Sequence, residues 1–223
     1  MEVVMQKRIV QSLMTLCFLF SATTAYAVPI NWVDWTSTGP ATVLGTMGGV
    51  GVTYSGGYAS ADLGGGTNYW TEGSPAPYTG NTHVDNAPTA GELIRLVGAT
   101  SNRVHFSSAV FNPVMAIVSM GQGGLAVEYD FDQSFTLLSE GRGYWGDGTY
   151  SEGPGDVLTG RELHAVIQFN GWVSDINFDN TYENWHGFTL GAADSAPVPE
   201  PATMLLFGIG LLALAGARRK FQK

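Results

Sequence analysis

The chain has 223 residues, of which 44% are hydrophobic, 13% charged and 12% aromatic, with 30 glycines and one cysteine. Average globular chains carry about 25% charged residues and about 7% glycine, so this composition excludes coiled coils and charge-rich disorder, and the lone cysteine excludes a disulfide framework. The formal charge of -9 hides a steeper local one: between Val28 and Pro199 four arginines face 17 acids with no lysine, giving -13, which repels nucleic acid and anionic lipid.

At the N-terminus, Lys7 and Arg8 precede an apolar run from Ile9 to Phe20 and then Ala25-Tyr26-Ala27. A basic start, a short apolar core and a small-x-small site describe a secretory signal peptide over residues 1–27, cut after Ala27 with Ala25 and Ala27 as the small residues. Its apolar core is shorter than the ~20 residues of an ordinary membrane span. Cys17 lies within it, so the mature protein is expected to contain no cysteine and no thiol chemistry.

From residue 28 to residue 193 the hydrophobic pattern has a period of two. Val50-Gly51-Val52-Thr53-Tyr54, Arg103-Val104-His105-Phe106-Ser107, Val166-Ile167-Gln168-Phe169-Asn170 and Val173 to Asp179 alternate as half-wet strands do. Val114 to Val118 is continuously apolar, as in a strand buried on both faces. Leu125 to Phe131, Phe135 to Leu138 and His186 to Leu190 are further strands. Gly56-Gly57, Gly64-Gly65-Gly66, Gly121 to Gly124, Asp147-Gly148 and Gly153-Pro154-Gly155 separate them. Asn170-Gly171 lies between two alternating runs and predicts a tight hairpin. Together these features predict an all-β domain over 28–193, an antiparallel sandwich or jelly roll, with a linker at 194–198.

The chemistry in this domain is sparse. It has no Gly-x-Ser-x-Gly elbow, phosphate-binding loop or His-Glu-x-x-His helix. His83, His105, His164 and His186 are scattered without the local spacing of a zinc site. Asp175-Ile176-Asn177-Phe178-Asp179-Asn180 mimics the opening of a calcium loop. Its sixth residue is Asn180 rather than glycine and its twelfth is His186 rather than glutamate, so a strand with a polar outer face is expected. No cofactor is required. The alternative is a calcium ion at Asp147, Glu152 and Asp156, which share one glycine-rich loop. Tyr144, Trp145 and Tyr150 in the same stretch are the candidate glycan platform, because aromatic faces stack on the C–H faces of a pyranose while nearby acids bond its hydroxyls. Trp172 and Trp185 are expected to be structural.

After the linker come Val198-Pro199-Glu200-Pro201, an apolar stretch from Met204 to Ala217, and Arg218-Arg219-Lys220. The stretch is short for a permanent span, and the basic cluster suits the cytoplasmic side of a membrane. This arrangement resembles the PEP-CTERM sorting signal of Gram-negative bacteria over residues 199–223. The resemblance implies Pro199, Glu200 and Pro201 as the recognition motif, a membrane helix at about 203–217, and a stop-transfer tail of Arg218, Arg219 and Lys220. It also implies an exosortase as processing partner and transient anchoring in the inner membrane.

The resulting expectation is a secreted or cell-surface structural and adhesive protein of the exopolysaccharide matrix. A lectin-like glycan-binding module, with or without calcium, is the first alternative. A polysaccharide-modifying enzyme, which needs two carboxylates facing each other across a cleft, is the second.

Overall fold

The structure is a computed structural model that describes residues 29–79, 84–153, 155–193 and 209–210. Among these residues fifteen strands form two antiparallel sheets. The first sheet contains β1 (Ile30–Trp32), β5 (Ser60–Leu63), β6 (Glu92–Leu96), β8 (Val114–Met120), β10 (Phe135–Glu140), β13 (Leu163–Phe169) and β15 (His186–Ala193). Its order is β10-β13-β8-β15-β6-β5, with β1 pairing along the C-terminal part of β15. The second contains β2 (Asp34–Gly39), β3 (Thr42–Met47), β4 (Val50–Gly56), β7 (Thr100–Phe111), β9 (Val127–Phe131), β11 (Thr149–Glu152), β12 (Val157–Arg161) and β14 (Trp172–Asn180), in the order β11-β12-β9-β14-β7-β4-β3-β2.

Alternation decides which face of each strand is dry. On β7, Asn102, Val104, Phe106 and Val110 point inward, and on β14 Val173, Ile176, Phe178 and Asn180 do so. They meet Met115, Ile117, Leu163, Ile167, Phe169, Phe188 and Leu190 of the first sheet in one core. A second apolar layer covers the other face of the first sheet, where Trp70, Tyr78 and Val84 pack on Val114, Ala116, Val118 and Val166. The middle of that sheet is therefore dry on both sides, which is why β8 is buried throughout and β13 is buried at every position except Gln168. The first was expected from its unbroken apolar run. The expected wet face of Val166–Asn170 is met in part: Gln168 and Asn170 reach water, whereas Val166 is covered by the loops from residue 69 onward.

The Asn170-Gly171 hairpin is also corrected. β13 lies in the first sheet and β14 in the second, so these two residues form a corner between sheets. The corner after β7 lies against it: Gly171 N–H donates to Asn112 Oδ1 at 2.7 Å and Asn112 N–H to the Gly171 carbonyl at 2.8 Å. Gly171 has φ +90° and Asn112 φ +50°, the left-handed backbone that glycine and asparagine tolerate.

Asp175–Asn180 lies within β14, with Ile176 and Phe178 in the core and Asp175 on the wet face held by Arg103 and His105, the strand expected there. The signal helix at 1–27, the membrane helix at about 203–217 and the linker lie outside the described residues, among which no helix is long and apolar enough to cross a membrane.

Candidate functional site

β10 runs to one end of the sandwich, and the chain beyond it forms a glycine-rich loop. Gly141 N–H donates to the His164 carbonyl at 3.1 Å, and Arg142 N–H to the Pro75 carbonyl at 3.0 Å. The Arg142 carbonyl accepts from Gly73 N–H at 2.8 Å, which stitches this loop to the 69–79 loop. Gly143 and Gly146 then exchange both backbone hydrogen bonds, at 2.9 and 3.2 Å, and leave Tyr144 and Trp145 at the tip of a two-residue turn. Gly146 has φ +120°, and a Cβ on Gly143 would collide with the His164 ring, so both glycines are required by the turn.

The tip is built into a four-ring cluster. Trp145 stacks on Tyr69, with centroids 5.4 Å apart and planes 16° apart, and meets Trp185 edge-on at 4.4 Å. Tyr144 packs edge-on to both Trp145 at 4.6 Å and Tyr69 at 5.2 Å, and Tyr69 contacts Trp185 at 5.0 Å. Tyr69 and Trp185 are half-buried, whereas Tyr144 is 44% and Trp145 45% exposed. Aromatic pairs of this kind contribute about 0.5–1.5 kcal/mol each beyond area burial, so the rings are held in place before any ligand arrives. The residues expected as a platform are thus partly assembled: Tyr144 and Trp145 are together, while Tyr150 stands on β11 outside these ring contacts. Tyr69 and Trp185 complete the cluster.

Beneath the turn lies a buried polar pair. His164 is fully buried on β13, and Tyr78 Oη donates to the Ile117 carbonyl at 2.8 Å, leaving its oxygen 3.3 Å from His164 Nδ1. With its proton committed to Ile117, Tyr78 Oη acts as acceptor, so His164 carries its hydrogen on Nδ1. Burial lowers the His164 pKa to about 4, against a pull upward from Asp147. Glu162 Oε1 accepts from Ser119 Oγ at 2.5 Å nearby, and burial raises its carboxyl above the usual carboxylate range.

The calcium set is spread along a hairpin. β11 pairs with β12 from Thr149↔Arg161 to Glu152↔Leu158, so Asp147 lies beyond one end while Glu152 and Asp156 flank the turn at the other. Four strand residues separate those ends, on the order of 13 Å. Among the described residues no three His, Cys, Asp or Glu side chains are grouped to hold a metal ion. His105 is on the wet face of β7, His164 and His186 are buried apart, and His83 lies outside the described residues.

A second concavity, about 440 Å³, opens on the wet face of the second sheet between Ser55, Ser101, Arg103, Asp130, Asp132, Asn177 and Asp179. Asn177 donates from Nδ2 to Asp132 Oδ2 at 2.6 Å and from its backbone to Oδ1 at 3.0 Å. Its acids line an open, polar surface, and the sequence had marked it only as the outer face of a strand.

Trp172 overturns its expected structural role. It is 72% exposed and leans on the half-exposed Phe111 with centroids 5.3 Å apart, because both sit on the wet face of the second sheet at a corner where no loop covers them.

The sorting residues Ala25, Ala27, Pro199, Glu200, Pro201, Arg218, Arg219 and Lys220 lie outside the described residues. Residues 197–220 match the family model of the PEP-CTERM protein-sorting motif. The chain carries an exosortase sorting signal. As an exosortase substrate it is a secreted or cell-surface protein. The match covers the tail and leaves the sandwich unassigned, and no curated protein and no solved structure matches the chain.

Proposed function

We propose that this exosortase substrate is an adhesive component of the exopolysaccharide matrix that binds glycan through Tyr144 and Trp145 and catalyses no reaction on it. The observation that carries this reading is the preassembled ring cluster, in which Trp145 is locked by three other rings yet nearly half exposed. A solvated indole fixed in advance loses little rotamer entropy when a pyranose stacks on it. The position of the cluster supports the same reading. The turn follows the Glu140↔Ala165 pair and Trp185 precedes His186, whereas the last strand leaves the domain at Ala193 from the other end. A chain held by its C-terminal signal would present this cluster away from the membrane. The apolar stretch would anchor it until exosortase cuts near Pro199-Glu200-Pro201.

The test is retention of the secreted protein on a panel of immobilised neutral and acidic polysaccharides, with calcium and with a chelator. Trp145→Ala is expected to weaken binding about tenfold, the equivalent of roughly 1.4 kcal/mol, with an unchanged far-ultraviolet circular dichroism spectrum. Retention that a chelator abolishes would reinstate a calcium-assisted lectin. Absence of retention on every polysaccharide would overturn the glycan reading, and release of shortened sugar products would replace it with an enzyme.

A further inference from the structure

The end of the sandwich opposite the ring cluster carries a second pair of exposed aromatics. Strand registers bring its parts together: Phe111 pairs with Trp172, Phe135 with Phe169, Gly191 with Val114, and Ile30 with Ala193. Gly48, Val50, Ala109, Val110, Ala192 and Ala193 line one shallow groove there, so the edges of both sheets meet at this end. Among the connections at this end are Gly48-Gly49, Asn112-Pro113, Asp132-Gln133-Ser134 and Asn170-Gly171. Asp132 is the charged residue among these four, and further acids lie near the same end: exposed Asp85, next to the Asn86 that bonds both backbone groups of Ile30, and Asp156, whose carbonyl accepts from Phe131 N–H; Asp194 follows Ala193 in the chain. On this end stand Trp172, 72% exposed, and Phe111, 39% exposed, as a contacting pair. An exposed pair of large aromatics marks an interaction surface more often than chance.

The occupant follows from where the chain goes next. The structure's last strand residue, Ala193, is at this end, and the sorting motif matches from residue 197. Ten residues, 194–203, separate Ala193 from the apolar stretch that begins at Met204. Fully extended they span at most about 35 Å, so a chain anchored through that stretch keeps this end facing the bilayer at close range. Tryptophan and tyrosine favour the membrane–water boundary, where an amphipathic ring is half in hydrocarbon and half in water. The acids near this end, Asp85, Asp132 and Asp156, would oppose an anionic surface, so a zwitterionic one is the surface that fits. We infer that, before exosortase processing, the Phe111–Trp172 end of the domain rests on the membrane surface with the Trp172 ring in the headgroup region. The inference depends on the sorting signal holding the chain in the bilayer and is independent of the glycan reading. It gives the processing step a consequence: cutting the signal releases a second, weak contact as well as the anchor.

All six tryptophans lie between residues 32 and 185, so lipid-borne quenchers report on the domain alone. The full chain is reconstituted in phosphatidylcholine vesicles whose acyl chains are brominated near the headgroup, and in matched unbrominated vesicles. Emission is expected to fall in the brominated vesicles by about the share of one tryptophan in six, and Trp172→Phe is expected to abolish that fall while Trp145→Phe leaves it intact. Equal emission in both vesicles would mean the domain is held clear of the membrane and would overturn the inference. Quenching that survives Trp172→Phe would assign the contact to another face and would overturn it too. A Trp172-dependent cross-linked dimer without quenching would seat a second copy there instead.

Discussion

In urea titrations, the domain is expected to lose stability as the pH falls from 7 to 4, and a His164→Gln variant to lose about 3 kcal/mol less over the same range. The His164 imidazole is fully buried beneath Gly143, and its pKa is lowered from 6.5 to about 4 mainly by burial. A folded pKa below the unfolded one means that the unfolded chain takes up the proton first. The contribution is therefore fully present above pH 6.5, is lost as the pH falls towards 4, and is flat below that. At 1.36 kcal/mol per pKa unit, the gap between 6.5 and about 4 amounts to about 3 kcal/mol. Glu92 and Glu162 act in the opposite sense, because burial raises their carboxyls and the folded state takes up their protons first. The wild-type curve is thus shallower than His164 alone would make it, and the difference from His164→Gln isolates the histidine. Glutamine is neutral throughout and retains a group able to bond Tyr78 Oη. Because Gly143 rests on this ring, glycan retention is expected to weaken over the same pH window. Parallel stability curves for the two proteins would show that His164 titrates with solvent access after all.

The parts of this fold that were legible in the sequence are those where burial alone writes the pattern. β7 and β14 alternate because one face is dry, and β8 is continuously apolar because both are. β11, Thr-Tyr-Ser-Glu, is exposed at every position and is a strand only because it pairs with β12, so no periodicity could announce it. Turn residues specify backbone angles and leave the destination of the next strand open. Gly48 and Gly49, with φ +53° and +85°, close a true hairpin between β3 and β4, whereas Asn170-Gly171 meets the same conformational demand at a corner between sheets.

The site divides along the same line. Tyr144 and Trp145 stood out as adjacent aromatics between glycines, a local signal. Tyr69 and Trp185 lie far off in the chain: the stitching at Gly73, Pro75 and Arg142 brings the Tyr69 loop to the turn, and the start of β15 places Trp185. Trp172 was misjudged because tryptophan is buried on average, and what leaves it bare is a corner that only the assembled sheets create.

Asn102→Ala is expected to cost about 3 kcal/mol, whereas Arg103→Ala, one residue along β7, should cost at most about 1 kcal/mol. The two side chains leave the strand on opposite faces. Arg103 bonds Asp175 at 2.7 Å on the wet face, where water screens the pair. Asn102 is 5% exposed on the dry face and joins three strands. Its Nδ2 donates to the Phe178 carbonyl at 3.2 Å and to Asn180 Oδ1 at 2.9 Å, and its Oδ1 accepts from Tyr54 Oη at 2.7 Å. Truncation removes the side-chain donor to the Phe178 carbonyl and to Asn180 Oδ1 and leaves a cavity, although Tyr54 Oη keeps the Gly57 carbonyl and Asn180 Oδ1 keeps Thr100 Oγ1. Asn102→Asp separates the polar network from simple volume. It preserves shape but turns an acceptor, charged at neutral pH, towards two others, so it should be worse than alanine at pH 7 and recover part of that loss as the carboxyl protonates. Urea midpoints for the three variants decide the matter. Equal costs for Asn102→Ala and Arg103→Ala would mean that the buried amide network contributes no more than a surface ion pair, and an aspartate better tolerated than alanine at pH 7 would mean that water reaches it.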